Sequence, residues 1–234
     1  MNKRNYSLDL LRLLAMFMIV ILHTLGHGGL LYSTVPYSST YYAAWFIESL
    51  ALCAVNCYGI LSGYTGVDGH YRYSNIITLW LQVLLYSVGI TFLLAGIGKL
   101  ELTPDIIKIA CFPVMHGEYW YFTAYVGLFF MIPIINNALN AMKQHQVKAL
   151  YVTCIIFYCL FPTYFRTDPF VFSGGYNFVW LVILYIIGAC IKKGKLFSSI
   201  PFWICALGYL FTASSAWIFK FQVEKTFYKH KYKL

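Results

Sequence analysis

The sequence predicts an all-α integral membrane protein with about seven transmembrane helices and a cytoplasmic N-terminus. Three observations predict it. Hydrophobic residues make up 60% of the 234 and charged ones 11%. The mean hydropathy is +0.67. Apolar runs long enough to cross a bilayer recur along the whole chain. A soluble domain carries about 25% charged residues, so too few charges are present to wet a surface. Disorder is excluded for the opposite reason, since it requires low hydrophobicity and high charge.

A crossing helix takes about 20 predominantly apolar residues. Seven segments qualify: 8–30, 43–63, 76–98, 119–139, 147–165, 176–191 and 200–219, the sixth being the shortest. The longest connection is 99–118, and within it 104–115 predicts a short helix at the interface. No linker is long enough for a soluble domain, so residues 1–234 read as one membrane domain. The apolar run after Lys3 and Arg4 is too long for the core of a signal peptide and lacks an evident cleavage site. It reads as a first span that also starts insertion.

Seventeen Lys and Arg against eight Asp and Glu give a net charge of +9. In a membrane chain that excess orients helices, and no nucleic-acid partner is implied. With the N-terminus inside, Lys3, Arg4, Arg72, Lys143, Lys148, Lys192, Lys193 and Lys195 face the cytoplasm, against Lys99, Lys108 and Arg166 outside. Seven spans also leave Lys220, Lys225, Lys229, Lys231 and Lys233 outside, which opposes the bias. Either one segment does not cross or the chain stops before its proper end. Seven cysteines, an odd number without a C-x-x-C pair, argue against a disulfide framework or zinc knuckle. Cys53 and Cys57 read as small hydrophobes inside a span.

Polar groups inside spans are costly and are functional candidates by default. The first span holds Asp9, Arg12 and His23. Eleven residues at about 100° each return to nearly the same helix face, so Arg12 and His23 share one stripe, about 16 Å apart along the axis. Asp9 lies three residues before Arg12 and can pair with it. Arg12 reads equally as a snorkelling anchor, and His23 as a histidine bonded to a neighbouring helix. As a general base, His23 would titrate near neutral pH. Glu48 enters the second span at a depth similar to that of His23, where it can orient the ring or serve as a structural hydrogen-bonding group. His27 follows His23 by four residues, but no third ligand joins them, so no metal site is expected.

Ser62-Gly63 ends the second predicted span, offering a hydroxyl and an approachable backbone, or an ordinary helix cap. Glu118 and Trp120 open the fourth span in an aromatic stretch that suits an interfacial belt. Pro133, Asn136 and Asn137 suggest a kink near its other end. Arg72 and the cluster at Lys192, Lys193 and Lys195 suit phosphate, of lipid head groups or of a nucleotide.

These residues resemble the acyltransferase 3 family, multi-span bacterial acyltransferases that O-acetylate glycans and envelope polymers. Arg12 and His23 reproduce its Arg-x10-His motif, preceded by a similar lead-in from Asn5 to Arg12. Ser62-Gly63-Tyr64 resembles its Ser-Gly-Phe/Tyr element. The stretch from Tyr119 through Tyr125 to Pro133 and Asn136 is similar to its fourth-span signature.

The resemblance implies transfer of an acyl group, usually acetyl, from cytoplasmic acyl-CoA to a hydroxyl of an envelope glycan or lipid-linked sugar. It implies no resident cofactor, and a multi-pass location in the bacterial cell membrane. His23 would be the base with Glu48 orienting it; Arg12 with Asp9, and Arg72, would meet the donor; Glu118 and Trp120 would flank the acceptor's entry. Two departures stand out. The family commonly has about ten spans, and some members carry an Arg-x-Arg pair where only Arg72 stands here. The missing spans, with the misplaced basic tail, suggest a chain shortened at its C-terminus, and the single arginine suggests donor binding that is weaker or built differently; an inactive shortened member is one alternative reading. A small-molecule uptake module is another.

Overall fold

The structure, a computed structural model, describes residues 5–231, with side chains as far as Gln222. Lys3, Arg4 and Lys233 therefore lie outside the described residues, as do the side chains of Lys225, Lys229 and Lys231. Every regular element among the described residues is helical: α1 (Tyr6–Gly26), α2 (Leu30–Ser33), α3 (Ser39–Ala51), α4 (Ala54–Gly66), α5 (Tyr73–Gly96), α6 (Pro104–Cys111), α7 (Pro113–His116), α8 (Trp120–Ala141), α9 (Gln144–Thr153), a π-helical turn (Cys154–Leu160), α10 (Phe161–Phe165), a 3₁₀ turn (Ser173–Gly175), α11 (Phe178–Gly194) and α12 (Phe202–Lys231).

Six stretches are long and apolar enough to cross a membrane: Tyr6–Ser33, Ser39–Gly66, Tyr73–Gly96, Trp120–Ala141, Gln144–Phe165 and Phe202–Gln222. The protein is an all-α membrane protein. The remaining expected span forms α11, whose 17 residues sit at the short limit for crossing. It nevertheless runs the full depth beside α8. Trp120 meets Tyr176 edge-on at 4.9 Å at one end, and Lys193 donates to Asn140 at 2.6 Å at the other. The expected interfacial segment becomes α6 and α7, started by the Thr103 cap and divided by Pro113.

The chain forms two compact units. One comprises the residues up to Leu61 together with those from Phe197 onward; the other is Ser62–Leu196. In the first, α1 starts cleanly because the Asn5 side chain accepts from the Ser7 and Leu8 amides at 3.1 and 3.4 Å. One face of α1 remains open, with Leu13 and Phe17 each more than 60% exposed. In water that face would be untenable; in acyl chains it costs nothing. The last helix, α12, runs antiparallel to α3. Tyr209 donates to the Leu50 carbonyl at 2.5 Å, Trp217 to the Tyr42 carbonyl at 3.1 Å, and Lys220 to the Tyr41 hydroxyl at 3.3 Å. Lys220 also lies 3.1 Å from the Trp45 ring centroid and 5.0 Å from that of Phe221. It is an aromatic-caged cation at the α3 N-terminus, rather than part of a loose basic tail.

The second unit is built around α11, where Leu181, Leu184, Tyr185, Ile187, Ala189 and Cys190 are all buried. Its closest crossing is with α4. A Cβ on Gly63 would lie 1.9 Å from the Tyr185 carbonyl oxygen, so only glycine admits this approach. One connection point ties three helices. Asn136 of α8 donates to the Gly66 carbonyl at 2.9 Å and accepts from the Tyr185 hydroxyl at 2.9 Å. At one end of this unit, Lys192 pairs with Asp68 at 3.0 Å beside the Lys193–Asn140 bond. The ends carrying Asp68, Asn140 and Lys192 thus lie together, as the charge bias requires. In the fifth stretch the helix widens into a π turn just before Pro162, which lacks the N–H that would continue the α ladder.

Gly63→Ala should destabilise the protein by about 1–3 kcal/mol or more, because the clash is with backbone and cannot relax by a rotamer change. Gly89→Ala, with nothing within 4 Å of the added carbon, should be neutral or stabilising. Thermal unfolding midpoints in detergent, followed by intrinsic fluorescence, would check both.

Candidate functional site

The predicted stripe on α1 survives intact, because the helix runs unbroken from Tyr6 to Gly26. Asp9 Oδ1 and Arg12 Nη1 are 2.9 Å apart, the i, i+3 pairing expected from spacing. Both side chains are partly exposed, so this pair orients Arg12 more than it stabilises the fold. The backbone at the same position is fixed from another helix: Tyr58 of α4 donates to the Arg12 carbonyl at 2.9 Å. Nothing in the sequence pattern singled out Tyr58; a phenol in a span has no periodic signature.

The Arg12–Tyr58 bond also sets the register of the facing helices. Across α3 the level is fixed by packing: Ile21 and Leu25 of α1 share a cluster with Ala44 and Trp45 of α3, which puts His23 and Glu48 within about one helical turn of the same level.

Their side chains are not joined. His23 Nδ1 lies 2.9 Å from the Ile19 carbonyl oxygen one turn back. A carbonyl only accepts, so Nδ1 carries the proton and Nε2 keeps its lone pair. The ring is exposed, with His27 beside it at 5.2 Å between centroids. Glu48 Oε2 is buried without a hydrogen-bond partner, as is Trp45 Nε1 three residues earlier on the same face of α3. The ring is thus held by its own helix, and Glu48 keeps an unused buried oxygen.

The other candidates belong to the second unit. Arg72 is exposed and sits at the N-cap of α5. Glu118 is exposed in the turn before α8, and Trp120 stacks edge-on with Tyr121 and Tyr176. Tyr125 packs against the cluster of Ile76, Phe122 and Phe129. Ser62 and Gly63 lie inside α4, which continues to Gly66, so the element is a helix crossing and not a helix end. Asn136 is the three-helix tie described above, with both ends of its amide engaged.

Comparison with known families decides the identity of this arrangement: the family profile described as an acyltransferase domain, that of acyltransferase 3, matches residues 5–231. The chain belongs to the acyltransferase 3 family. It is a membrane acyltransferase in that general sense. No curated protein and no solved structure matches it. Asp9, Arg12, His23 and Glu48 all belong to one unit, and the Asn136 tie is a separate feature of the other.

Asn136→Ala should lower stability by about 1–3 kcal/mol for each partner left unsatisfied, while leaving activity per folded molecule intact. Melting midpoints paired with transfer rates normalised to folded protein would separate that outcome from a loss of chemistry.

Proposed function

We propose that the protein moves an acyl group, acetyl in the simplest case, from cytoplasmic acyl-CoA to a hydroxyl of an extracytoplasmic envelope glycan or lipid-linked sugar. The observation that carries this reading is the 2.9 Å contact of His23 Nδ1 with the Ile19 carbonyl. With Nδ1–H donated to the Ile19 carbonyl, Nε2 of this exposed ring is left to act as the base. In the reaction, Nε2 takes the proton of the acceptor hydroxyl as its oxygen attacks the thioester carbonyl. The tetrahedral adduct collapses, the C–S bond breaks, and the imidazolium returns the proton to the departing CoA thiolate. The products are the ester and CoA-SH, and His23 is regenerated.

Arg12, about 16 Å along the same stripe, suits the donor's phosphates through charge-assisted, bidentate hydrogen bonds. Asp9 holds its fork, and Arg72 offers a second exposed cation. This orientation puts the Arg12 end in the cytoplasm and His23 in the outer half of a bacterial cell membrane. The acceptor would reach His23 from the outer side, with Glu118 and Trp120 among the groups of the outer loops. Ser62, Gly63, Tyr125 and Asn136 support the helices in this scheme and touch no substrate.

His23→Gln should lower transfer by about 10²–10⁴-fold, the usual worth of a positioned general base, while insertion and yield stay normal. The measurement is incorporation of label from radioactive acetyl-CoA into the glycan fraction of isolated membranes. Unchanged incorporation in the variant would remove His23 from the chemistry.

A further inference from the structure

The span Ser39–Gly66 is two helices: α3 ends at Ala51 and α4 begins at Ala54, with Leu52 and Cys53 forming a turn between them. No glycine or proline occurs in that turn. A break at membrane depth persists only if something other than lipid satisfies the backbone around it. Here Tyr209, from α12, donates its hydroxyl to the Leu50 carbonyl at 2.5 Å, and the Cys53 thiol lies 4.0 Å from the same oxygen. The last span of the described chain thus holds the break in the second.

The consequence falls on Glu48, two residues before that carbonyl. Around it polar groups are paired: Ser49 donates to the Trp45 carbonyl at 2.8 Å, Tyr58 to that of Arg12, Trp217 to that of Tyr42. Glu48 Oε2 and Trp45 Nε1 are buried and unpaired. An acceptor and a donor left over on one helix face match a hydroxyl, which can donate to the first and accept from the second. Leaving such groups unmet costs about 1–3 kcal/mol each, a cost that a bound hydroxyl would remove.

Resting on the acyltransferase reading above, we propose that Tyr209 is a positioning residue for the reaction. By holding the α3/α4 break, it keeps Glu48 Oε2 at the depth of His23, where it meets the acceptor hydroxyl. Tyr209 acts through Glu48 and touches no reacting atom.

The test is a double-mutant cycle on the full chain in isolated membranes, reading label transferred from radioactive acetyl-CoA to the glycan fraction. Tyr209→Phe keeps the ring and removes the hydroxyl; it should lower transfer about three- to tenfold, the kinetic equivalent of one neutral hydrogen bond. Glu48→Gln should lower it at least as far, and adding Tyr209→Phe to Glu48→Gln should change nothing more. Trp217→Phe removes a bond of the same kind between the same two helices and should leave transfer unchanged. Multiplying losses in the double variant, full activity in Tyr209→Phe, or an equal loss in Trp217→Phe would each overturn the positioning role. Wild-type membranes no more active than vector controls would overturn the acyltransferase reading itself, and this proposal with it.

Discussion

Acyl chains neither donate nor accept hydrogen bonds, and that constraint organises this protein. A carbonyl that a helix cannot use internally is left at a cost of several kcal/mol unless another group meets it, and carbonyls inside a helix keep a second lone pair that a side chain can use. The bonds between helices use both kinds. Tyr58 reaches the Arg12 carbonyl, Tyr209 that of Leu50, Trp217 that of Tyr42, and Asn136 that of Gly66. In each case the donor is the polar tip of a side chain and the acceptor is backbone. Two phenols and one indole do this work because each combines packing area with a polar tip, and the Asn136 carboxamide serves two partners at once. The 20% aromatic content is in part the means by which helices in lipid acquire a fixed register.

The register then decides what the charged residues can do. Asp9 and Arg12 pair along α1, but it is Tyr58 that ties this end of α1 to α4. The cluster of Ile21 and Leu25 with Ala44 and Trp45 then keeps His23 and Glu48 at a similar level without any bond between them. A direct Glu48–His23 bond, the arrangement expected from residue type alone, would use up the carboxylate. The structure uses the Ile19 carbonyl to orient the ring instead, which leaves both Nε2 and Glu48 Oε2 available.

How far all this was legible in the sequence depends on the range of the interaction. The all-α membrane class, the Asp9–Arg12 pair and the shared face of Arg12 and His23 follow from composition and a 3.6-residue period, which are local. Gly63 and Asn136 were visible as unusual residues in spans, yet their use was not. A glycine that admits the Tyr185 backbone and an amide that ties Gly66 to Tyr185 are defined by partners many residues away. The break at Leu52–Cys53 left no trace, because neither residue breaks helices; it exists where Tyr209 caps the carbonyl. Lys220 was misread for the same reason. Counted as tail charge, it is held among Tyr41, Trp45 and Phe221 by rings from two helices.

The distribution of unpaired atoms carries the final step. Three buried side-chain atoms lack partners among the described residues: Thr34 Oγ1, Trp45 Nε1 and Glu48 Oε2. Two of the three lie one turn apart on α3, at the depth of the exposed imidazole. A membrane fold that spends a tyrosine on one stray carbonyl, two residues from Glu48, would not leave a carboxylate oxygen unmet at that spot for packing reasons. Replacing Glu48 by an apolar residue of similar size would relieve the cost at once. On the proposed reading the oxygen meets the acceptor, and its unpaired neighbour suits a group that both donates and accepts, as a hydroxyl does.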